Sequence, residues 1–227
     1  FGKAIAELLI SKGHTVIGTG RRQEKLDELQ TQLGDNFIPL NFDVSDLPAT
    51  KTALQTLPSD VLNNLDVLVN NAGLALGLEP ADKTDFADWQ QMVNTNILGL
   101  IHLTHEILPL MVANNDGYII NLSSTAGNYP YFGGNVYGAT KAFVTQFSLN
   151  LRADLVGKNI RVSNIEPGLC GGTEFSNIRF HGDDAKAAQV YDSVQYVTPQ
   201  DIANMVAWLI EQPKHVNINR IEVMPTA

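Results

Sequence analysis

The chain has 227 residues, a formal net charge of −9 and one cysteine, Cys170. That length suits one domain with a substantial core, and an acidic chain without a basic stripe is not expected to bind nucleic acid. A single cysteine excludes an internal disulfide and indicates a reducing, cytoplasmic location. We expect no membrane span, because no apolar run of about twenty residues stands out.

Hydrophobic periodicity and turn residues divide the chain into alternating strands and helices. In chain order, the predicted elements are a helix that ends near Gly13, a strand over 15–19, a helix over 23–33, a strand over 37–42, a helix over 49–57, a strand over 66–70, a helix over 86–114, a strand over 117–124, a helix over 136–155, a strand over 160–165, a helix over 199–210 and a strand over 218–223. We expect the 86–114 helix to be bent or broken.

This alternation predicts an α/β fold, a doubly wound parallel sheet with helices on both faces and therefore three layers. No repeat, low-complexity tract or proline-rich linker divides residues 1–227, so we expect a single domain. The long helices carry apolar residues on more than one side, such as Leu100 and Ile101. Because covering a sheet needs only one apolar stripe, the second face predicts subunit contacts or deeper burial in a monomer.

Tyr137 and Lys141 stand four residues apart on the helix predicted over 136–155, so both side chains project from one face. A free phenol titrates near about pH 10 and is a poor base at neutral pH. A fixed cation nearby favours the phenolate. We therefore expect Lys141 to lower the pKa of Tyr137 and the pair to transfer protons. The alternative for this common pattern is an exposed tyrosine above a surface lysine.

Three of the predicted strands end in, or are followed by, a short segment of polar or turn-forming residues. Ser124 ends the strand over 117–124, the segment Asn71-Ala72-Gly73 follows the strand over 66–70, and Pro167-Gly168 follows the strand over 160–165. Open α/β sheets bind ligands at the carboxyl ends of their strands. A serine there can donate a hydrogen bond to a substrate oxygen, and its alternative role is to cap a turn or a helix.

Together these segments resemble the short-chain dehydrogenase/reductase family over essentially the whole chain. The catalytic tetrad of that family is Asn, Ser, Tyr and Lys in this order, which matches Asn96, Ser124, Tyr137 and Lys141. The stretches 131–141 and 166–177 further resemble the bacterial NADP-dependent 3-hydroxy acid dehydrogenases, which act on serine, allo-threonine and 3-hydroxypropionate.

The resemblance implies a Rossmann-like, NADP-dependent oxidoreductase without a catalytic metal. Tyr137 would exchange the proton of the reacting hydroxyl, and Ser124 would hydrogen-bond the reacting oxygen. Lys141 would bind the nicotinamide ribose, and Asn96 would support a water in a proton relay. It also implies dimers or tetramers built on the two long helices.

Arg21 and Arg22 follow the strand over 15–19. In dinucleotide-binding folds, an acidic residue at this place binds the ribose diol of NAD, whereas an arginine accommodates the 2′-phosphate of NADP. This pair therefore predicts NADP rather than NAD, although two arginines before a helix could also be solvated. The other cofactor residues that the resemblance implies are Gly2, Asp43, Val44, Asn71, Ala72, Gly73, Tyr137, Lys141, Pro167, Gly168 and Thr173.

The sequence departs from the family in two places. The family begins with a strand and a glycine-rich loop that carries the pyrophosphate onto a helix N-terminus, and Phe1-Gly2 matches only the last positions of that loop. We therefore expect N-terminal residues to be missing from this sequence. Four residues separate Gly168 from Thr173, where the family has three, which alters the loop that normally closes over substrate.

Arg179 is the predicted anchor for a substrate carboxylate, with a surface salt bridge as its alternative role. The favoured substrate is a small 3-hydroxy acid such as L-serine, L-allo-threonine or 3-hydroxypropionate. Two other functions stay open at this point: a related reductase that acts on ketoacyl or general carbonyl substrates, and a catalytically silent dinucleotide-binding or interaction module.

Overall fold

The computed structural model describes residues 1–226. Its strands are β1 (Val16–Gly20), β2 (Phe37–Asn41), β3 (Val67–Asn70), β4 (Gly117–Leu122), β5 (Ile160–Pro167) and β6 (Arg220–Val223). Its α-helices are α1 (Gly2–Ser11), α2 (Gln23–Leu33), α3 (Leu47–Gln55), α4 (Ser59–Asn63), α5 (Phe86–Val93), α6 (Leu100–Asn114), α7 (Asn135–Asp154), α8 (Phe175–Arg179), α9 (Asp184–Gln189) and α10 (Pro199–Glu211).

The predicted order of elements is confirmed, and most boundaries fall within two residues of the prediction. Several helix ends have the expected chemistry: Asp46 caps the first turn of α3, Thr198 and Asp201 form a capping box on α10, and Gly13 follows α1 with a φ of 89°. The prediction lacked α4, α8 and α9, because five or six residues are too few to show a helical period.

The strands are parallel and form two groups, β1-β2 and β3-β4-β5-β6. One face packs against α1 and α10 around buried residues such as Ile120 and Ile202. The other face packs against α3, α6 and α7 around Ile119, Ile107 and Leu151. The predicted three-layer α/β fold is therefore confirmed.

Within residues 1–226, β1 pairs only with β2 and β3 pairs only with β4. The helices connect the two groups, since the same hydrophobic cluster includes Val16 of β1 and Val69 of β3 on one face, and Ile17 and Leu68 on the other. Packing on both faces thus holds the two groups of strands together, although within residues 1–226 no ladder of hydrogen bonds joins β1 to β3.

The predicted break in the 86–114 helix is a π-helical turn, Asn94–Gly99, between α5 and α6. The resulting helix of 29 residues is long and apolar enough to cross a membrane by length and composition alone, although no single apolar run stands out in its sequence. The same test is passed by core helices, and here Leu100, Ile107 and Met111 are buried in the protein.

Candidate active site

The site lies where the carboxyl ends of β3, β4 and β5 meet at one edge of the sheet. The parallel register aligns Asn70 of β3 with Asn121 of β4 and Asn164 of β5. The segments that follow these strands carry residues 71–73, Ser124 and Pro167-Gly168. The predicted strand-end residues are therefore brought together, as expected for a doubly wound sheet.

Tyr137 and Lys141 lie on the first turns of α7, and both are buried, 8% and 6% exposed. The helix approaches the turn after Ser124 closely. A Cβ at Gly127 would lie 2.7 Å from the backbone of Lys141 and Ala142, so only glycine allows this contact. The alternative of an exposed tyrosine above a surface lysine is thus wrong.

Burial raises the pKa of Tyr137, although hydrogen bonding with Ser124 and the charge of Arg179 act in the opposite direction. The prediction that Lys141 would leave Tyr137 with a lowered pKa is therefore not met in this structure. The loss of hydration on burial outweighs the charge of Arg179, and the Nζ atom of Lys141 lies 5.8 Å from the centre of the phenol ring. The protein alone holds this phenol protonated.

Burial lowers the pKa of Lys141 to about 8. Its Nζ donates a hydrogen bond of 2.9 Å to the carbonyl of Leu122, the last residue of β4. A lysine with this pKa changes its protonation state close to neutral pH, so it can take up or release a proton during a reaction.

Asn96 is 1% exposed and sits in the π-helical turn. Its Oδ1 accepts a hydrogen bond from the Leu74 backbone, while its Nδ2 donates to the Leu74 carbonyl and to Thr140 on α7. π-Turns are frequent at functional sites. Here the turn directs the side-chain amide of Asn96 toward the segment after β3. Gly73 in that segment lies close to both polar groups, since a Cβ added there would be 3.2 Å from Lys141 Nζ and 3.4 Å from Asn96 Oδ1.

The two predicted phosphate-binding arginines are both paired with carboxylates. Arg22 makes a two-pronged ion pair with Glu174, at 2.6 and 3.1 Å, which holds the pKa of Glu174 below its usual value. Arg21 lies 3.6 Å from Asp43. Burial raises the pKa of Asp43, but hydrogen bonds from Ser45 and the charge of Arg21 leave it below its usual value.

A cavity of about 1440 Å³ opens at this edge and continues between β1 and β3. The predicted residues that line it are Gly2, Arg22, Val44, Asn71, Ala72, Gly73, Ser124, Tyr137, Lys141, Pro167, Gly168, Thr173 and Arg179. Arg21, Asp43 and Asn96 lie outside this lining. Arg21 and Asp43 stand beside Arg22 and Val44 in the chain, and Asn96 supports the wall from behind through Leu74.

Arg179 lies close to Tyr137, with its guanidinium carbon 5.7 Å from the centre of the phenol ring. Its Nε donates to the Gly77 carbonyl and its Nη2 donates to the hydroxyl of Tyr131 at 2.7 Å. The alternative role in a salt bridge is not observed, since Arg179 has no carboxylate partner among residues 1–226.

Sequence reasoning missed the polar residues beneath the site. The aligned asparagines of β3, β4 and β5 are 0–5% exposed, and Glu166 at the end of β5 is 0% exposed. Polar residues at matching positions of three otherwise apolar strands were the available signal. Tyr131, which holds Arg179, gave no signal of its own because its partner lies 48 positions away.

Comparisons with known proteins agree with this geometry. A family model described as short chain dehydrogenase matches residues 1–183. A probable NADP-dependent dehydrogenase of Haemophilus influenzae is 67% identical over 227 residues, which is 100% of this chain and 90% of that protein. The NADP-dependent 3-hydroxy acid dehydrogenase of Escherichia coli K12 is 55% identical over 225 residues, 99% of this chain and 90% of that protein.

Among solved structures, the closed form of serine dehydrogenase complexed with NADP+ matches with a TM-score of 0.97 and 55% sequence identity. The match covers 99% of this chain and 90% of that one. It therefore includes every segment that forms the site.

The lowered pKa of Lys141 predicts a pH-dependent stability difference between Lys141→Met and the natural protein. The unfolded chain binds a proton at this lysine up to about pH 10.5, whereas the folded chain releases it near pH 8. Folding therefore carries a cost of about 3 kcal/mol below pH 8, which disappears as the pH rises through that window.

We compare the unfolding free energy of Lys141→Met with that of the natural protein. The difference should shift in favour of the natural protein by about 3 kcal/mol between pH 8 and pH 10.5. Loss of the hydrogen bond to the Leu122 carbonyl adds a contribution that does not depend on pH. Urea unfolding of the cofactor-free proteins at several pH values measures the difference, with Lys158→Met at an exposed position as control. A pH-independent difference would contradict the lowered pKa.

Proposed function

This chain belongs to the short-chain dehydrogenase family, and we propose that it is an NADP-dependent oxidoreductase that interconverts a small 3-hydroxy acid and its 3-oxo acid. L-Serine, L-allo-threonine and 3-hydroxypropionate represent the substrate class. One observation carries the proposal: a buried tyrosine at the wall of a large cavity, with Lys141 Nζ at 5.8 Å and the Arg179 guanidinium carbon at 5.7 Å from its ring centre. The names of the 3-hydroxy acid and serine dehydrogenases to which the chain is similar support it.

The residues around the cavity fit a dinucleotide. The helix α1 begins at Gly2, where a Cβ would lie 3.0 Å from Asn71 Nδ2, and this bare backbone at a helix N-terminus suits a pyrophosphate. Gly73 leaves space beside Lys141 in the same way. Arg21 and Arg22 at the end of β1 would hold the 2′-phosphate. Val44, Pro167, Gly168 and Thr173 would line the adenine and nicotinamide ends.

When bound, NADP supplies the hydride chemistry at its nicotinamide. Tyr137 gives its proton to the carbonyl oxygen in reduction and takes the hydroxyl proton in oxidation. The raised pKa of Tyr137 favours the donating form. Ser124 orients the reacting oxygen, and Lys141 binds the ribose and, with a pKa of about 8, passes protons onward. Asn96 supports a relay water beside Lys141.

Arg179 would bind the substrate carboxylate. In a 3-hydroxy acid one carbon separates the carboxylate from the carbinol carbon, so an anchor must lie close to the catalytic tyrosine. The guanidinium group meets this requirement at 5.7 Å from the ring of Tyr137. The bond to Tyr131 sets its orientation, and guanidinium groups bind carboxylates through paired hydrogen bonds.

The proposal extends to a single domain over residues 1–227, a cytoplasmic location and a homodimer or homotetramer built on α6 and α7. Support for the assembly comes from apolar side chains at the surface of α7 and of the π-helical turn that leads into α6. Leu98 and Phe143 are 40% and 36% exposed, and Phe147 stacks on Phe143 at 5.8 Å. The lone Cys170 supports the reducing compartment.

Tyr137→Phe tests the reaction. It removes one hydroxyl from a buried ring, so the fold should persist while turnover of 3-hydroxy acids with NADP falls by at least about 100-fold. Turnover is followed as NADPH absorbance over a panel of 3-hydroxy acids, ketoacyl thioesters and simple carbonyl compounds. Preference for ketoacyl thioesters would identify the related reductase, and inactivity of the natural protein on every substrate would leave only a binding module.

Arg22→Gln tests the cofactor. Loss of a charged hydrogen bond to phosphate should raise KM for NADP by about tenfold or more and leave KM for NAD within about twofold. Lys25→Gln, which makes the same charge change on the exposed side of α2, is the control. Equal effects of Arg22→Gln on both dinucleotides would remove the 2′-phosphate assignment.

Arg179→Met tests the substrate anchor. We expect KM for carboxylate substrates to rise by at least about tenfold, because a carboxylate loses a charged partner, while an uncharged alcohol keeps its KM. Arg179→Lys should retain part of the affinity. A similar loss on charged and uncharged substrates would mean that Arg179 only supports the loop through Gly77 and Tyr131.

A further inference from the structure

The carboxylate of Glu166 is completely buried at the end of β5 and receives hydrogen bonds from several segments. Arg220 binds both of its oxygens at 2.7 Å. Asn164 donates to Oε1 at 2.6 Å, Asn128 donates to Oε2 at 2.7 Å, and the Thr145 hydroxyl lies 3.3 Å from Oε1. A buried carboxylate is stable only with such partners.

Two of these partners belong to the segments that carry the catalytic side chains. Asn128 directly follows the helical turn Thr125–Gly127, whose N-cap is Ser124. Thr145 lies one turn beyond Lys141 on α7. Its hydroxyl is 3.0 Å from that of Ser123, which donates to the Lys141 carbonyl at 2.7 Å.

The third connection runs through the backbone. Pro167 follows Glu166, and its carbonyl accepts a hydrogen bond of 3.2 Å from the Ser124 hydroxyl. Glu166 therefore contacts the strand, the turn and the helix that meet at the catalytic groups, although its own carboxylate does not line the cavity.

We propose that Glu166 is a positioning residue that sets the spacing between Ser124 and the Tyr137–Lys141 face of α7. The inference rests on the proposed function of those residues and adds to it a group outside the catalytic tetrad. Its neighbour Glu222 offers a contrast. That carboxylate also contacts Asn128, at 3.4 Å, and Tyr129, at 3.2 Å, but it lies at the protein surface.

The charge of Glu166, and not only its shape, is required for this role. The N–H groups of Arg220, Asn164 and Asn128 all point at the carboxylate, so both of its oxygens must accept. Glutamine has one acceptor oxygen, and in either orientation its NH2 group would face a donor of Arg220, together with the donor of Asn164 or of Asn128. Glu166→Gln should therefore release the turn after Ser124 or the strand β6 while it keeps the volume of the side chain.

The experiment compares Glu166→Gln, Asn128→Ala and the control Glu222→Gln in steady-state kinetics across pH. Asn128→Ala cuts the link between the carboxylate and the turn without leaving a buried charge unpaired, since Arg220 remains. A small displacement of catalytic groups costs rate more than binding. We expect kcat to fall about tenfold or more in Glu166→Gln and severalfold in Asn128→Ala. In both variants KM should stay within about twofold and the pH profile of kcat should be displaced. The kinetics of Glu222→Gln should match those of the natural protein.

Hydrogen exchange of the 124–129 segment supplies a readout that is independent of turnover. Protection there should fall in Glu166→Gln and Asn128→Ala but not in Glu222→Gln. Unchanged kcat and protection in the folded variants would overturn the proposal, as would a rise in KM at constant kcat. Where Glu166→Gln does not fold, Asn128→Ala decides. If the proposed function is wrong, the natural protein itself will show no turnover of 3-hydroxy acids. The comparison of hydrogen exchange between the variants would still show whether Glu166 holds the 124–129 segment in place.

Discussion

A row of buried amides across the sheet determines where the helices can settle. Asn70 donates to Asn121 at 2.8 Å and to Thr104 of α6 at 3.0 Å, and Asn121 donates to Ser148 of α7 at 2.8 Å. Buried polar groups without partners are costly, so sliding either helix along the sheet would break several bonds together. This constraint brings Asn96 and the Tyr137–Lys141 face to the strand ends.

The same enclosure sets the protonation of the site. Burial disfavours charge on both the phenol and the ammonium group, which raises the pKa of Tyr137 and lowers that of Lys141 to about 8. The two groups are thereby moved toward their neutral forms in the protein alone. A ligand in the cavity with hydroxyl groups or charges of its own would change that balance.

Two arginines line the cavity in a chain whose net charge is −9. Arg22 is paired with Glu174, and Arg179 is held by Tyr131. An anionic cofactor and an anionic substrate would each meet a guanidinium group that is already oriented. Since Glu174 leads into α8, which ends at Arg179, the loop that contacts one ligand site also connects to the other.

The sequence by itself determined the order of strands and helices, because hydrophobic periodicity is a property of short segments. The assignment of Asn96, Ser124, Tyr137 and Lys141 as catalytic residues came from the resemblance to the family. Only the tertiary structure decided the direction of the pKa shifts, the carboxylate partners of Arg21 and Arg22, and the hydrogen bonds around Glu166. Those features depend on burial and on contacts between residues far apart in the chain, such as Glu166 and Arg220. Neither quantity is encoded in any local pattern; both arise when the helices pack onto the sheet.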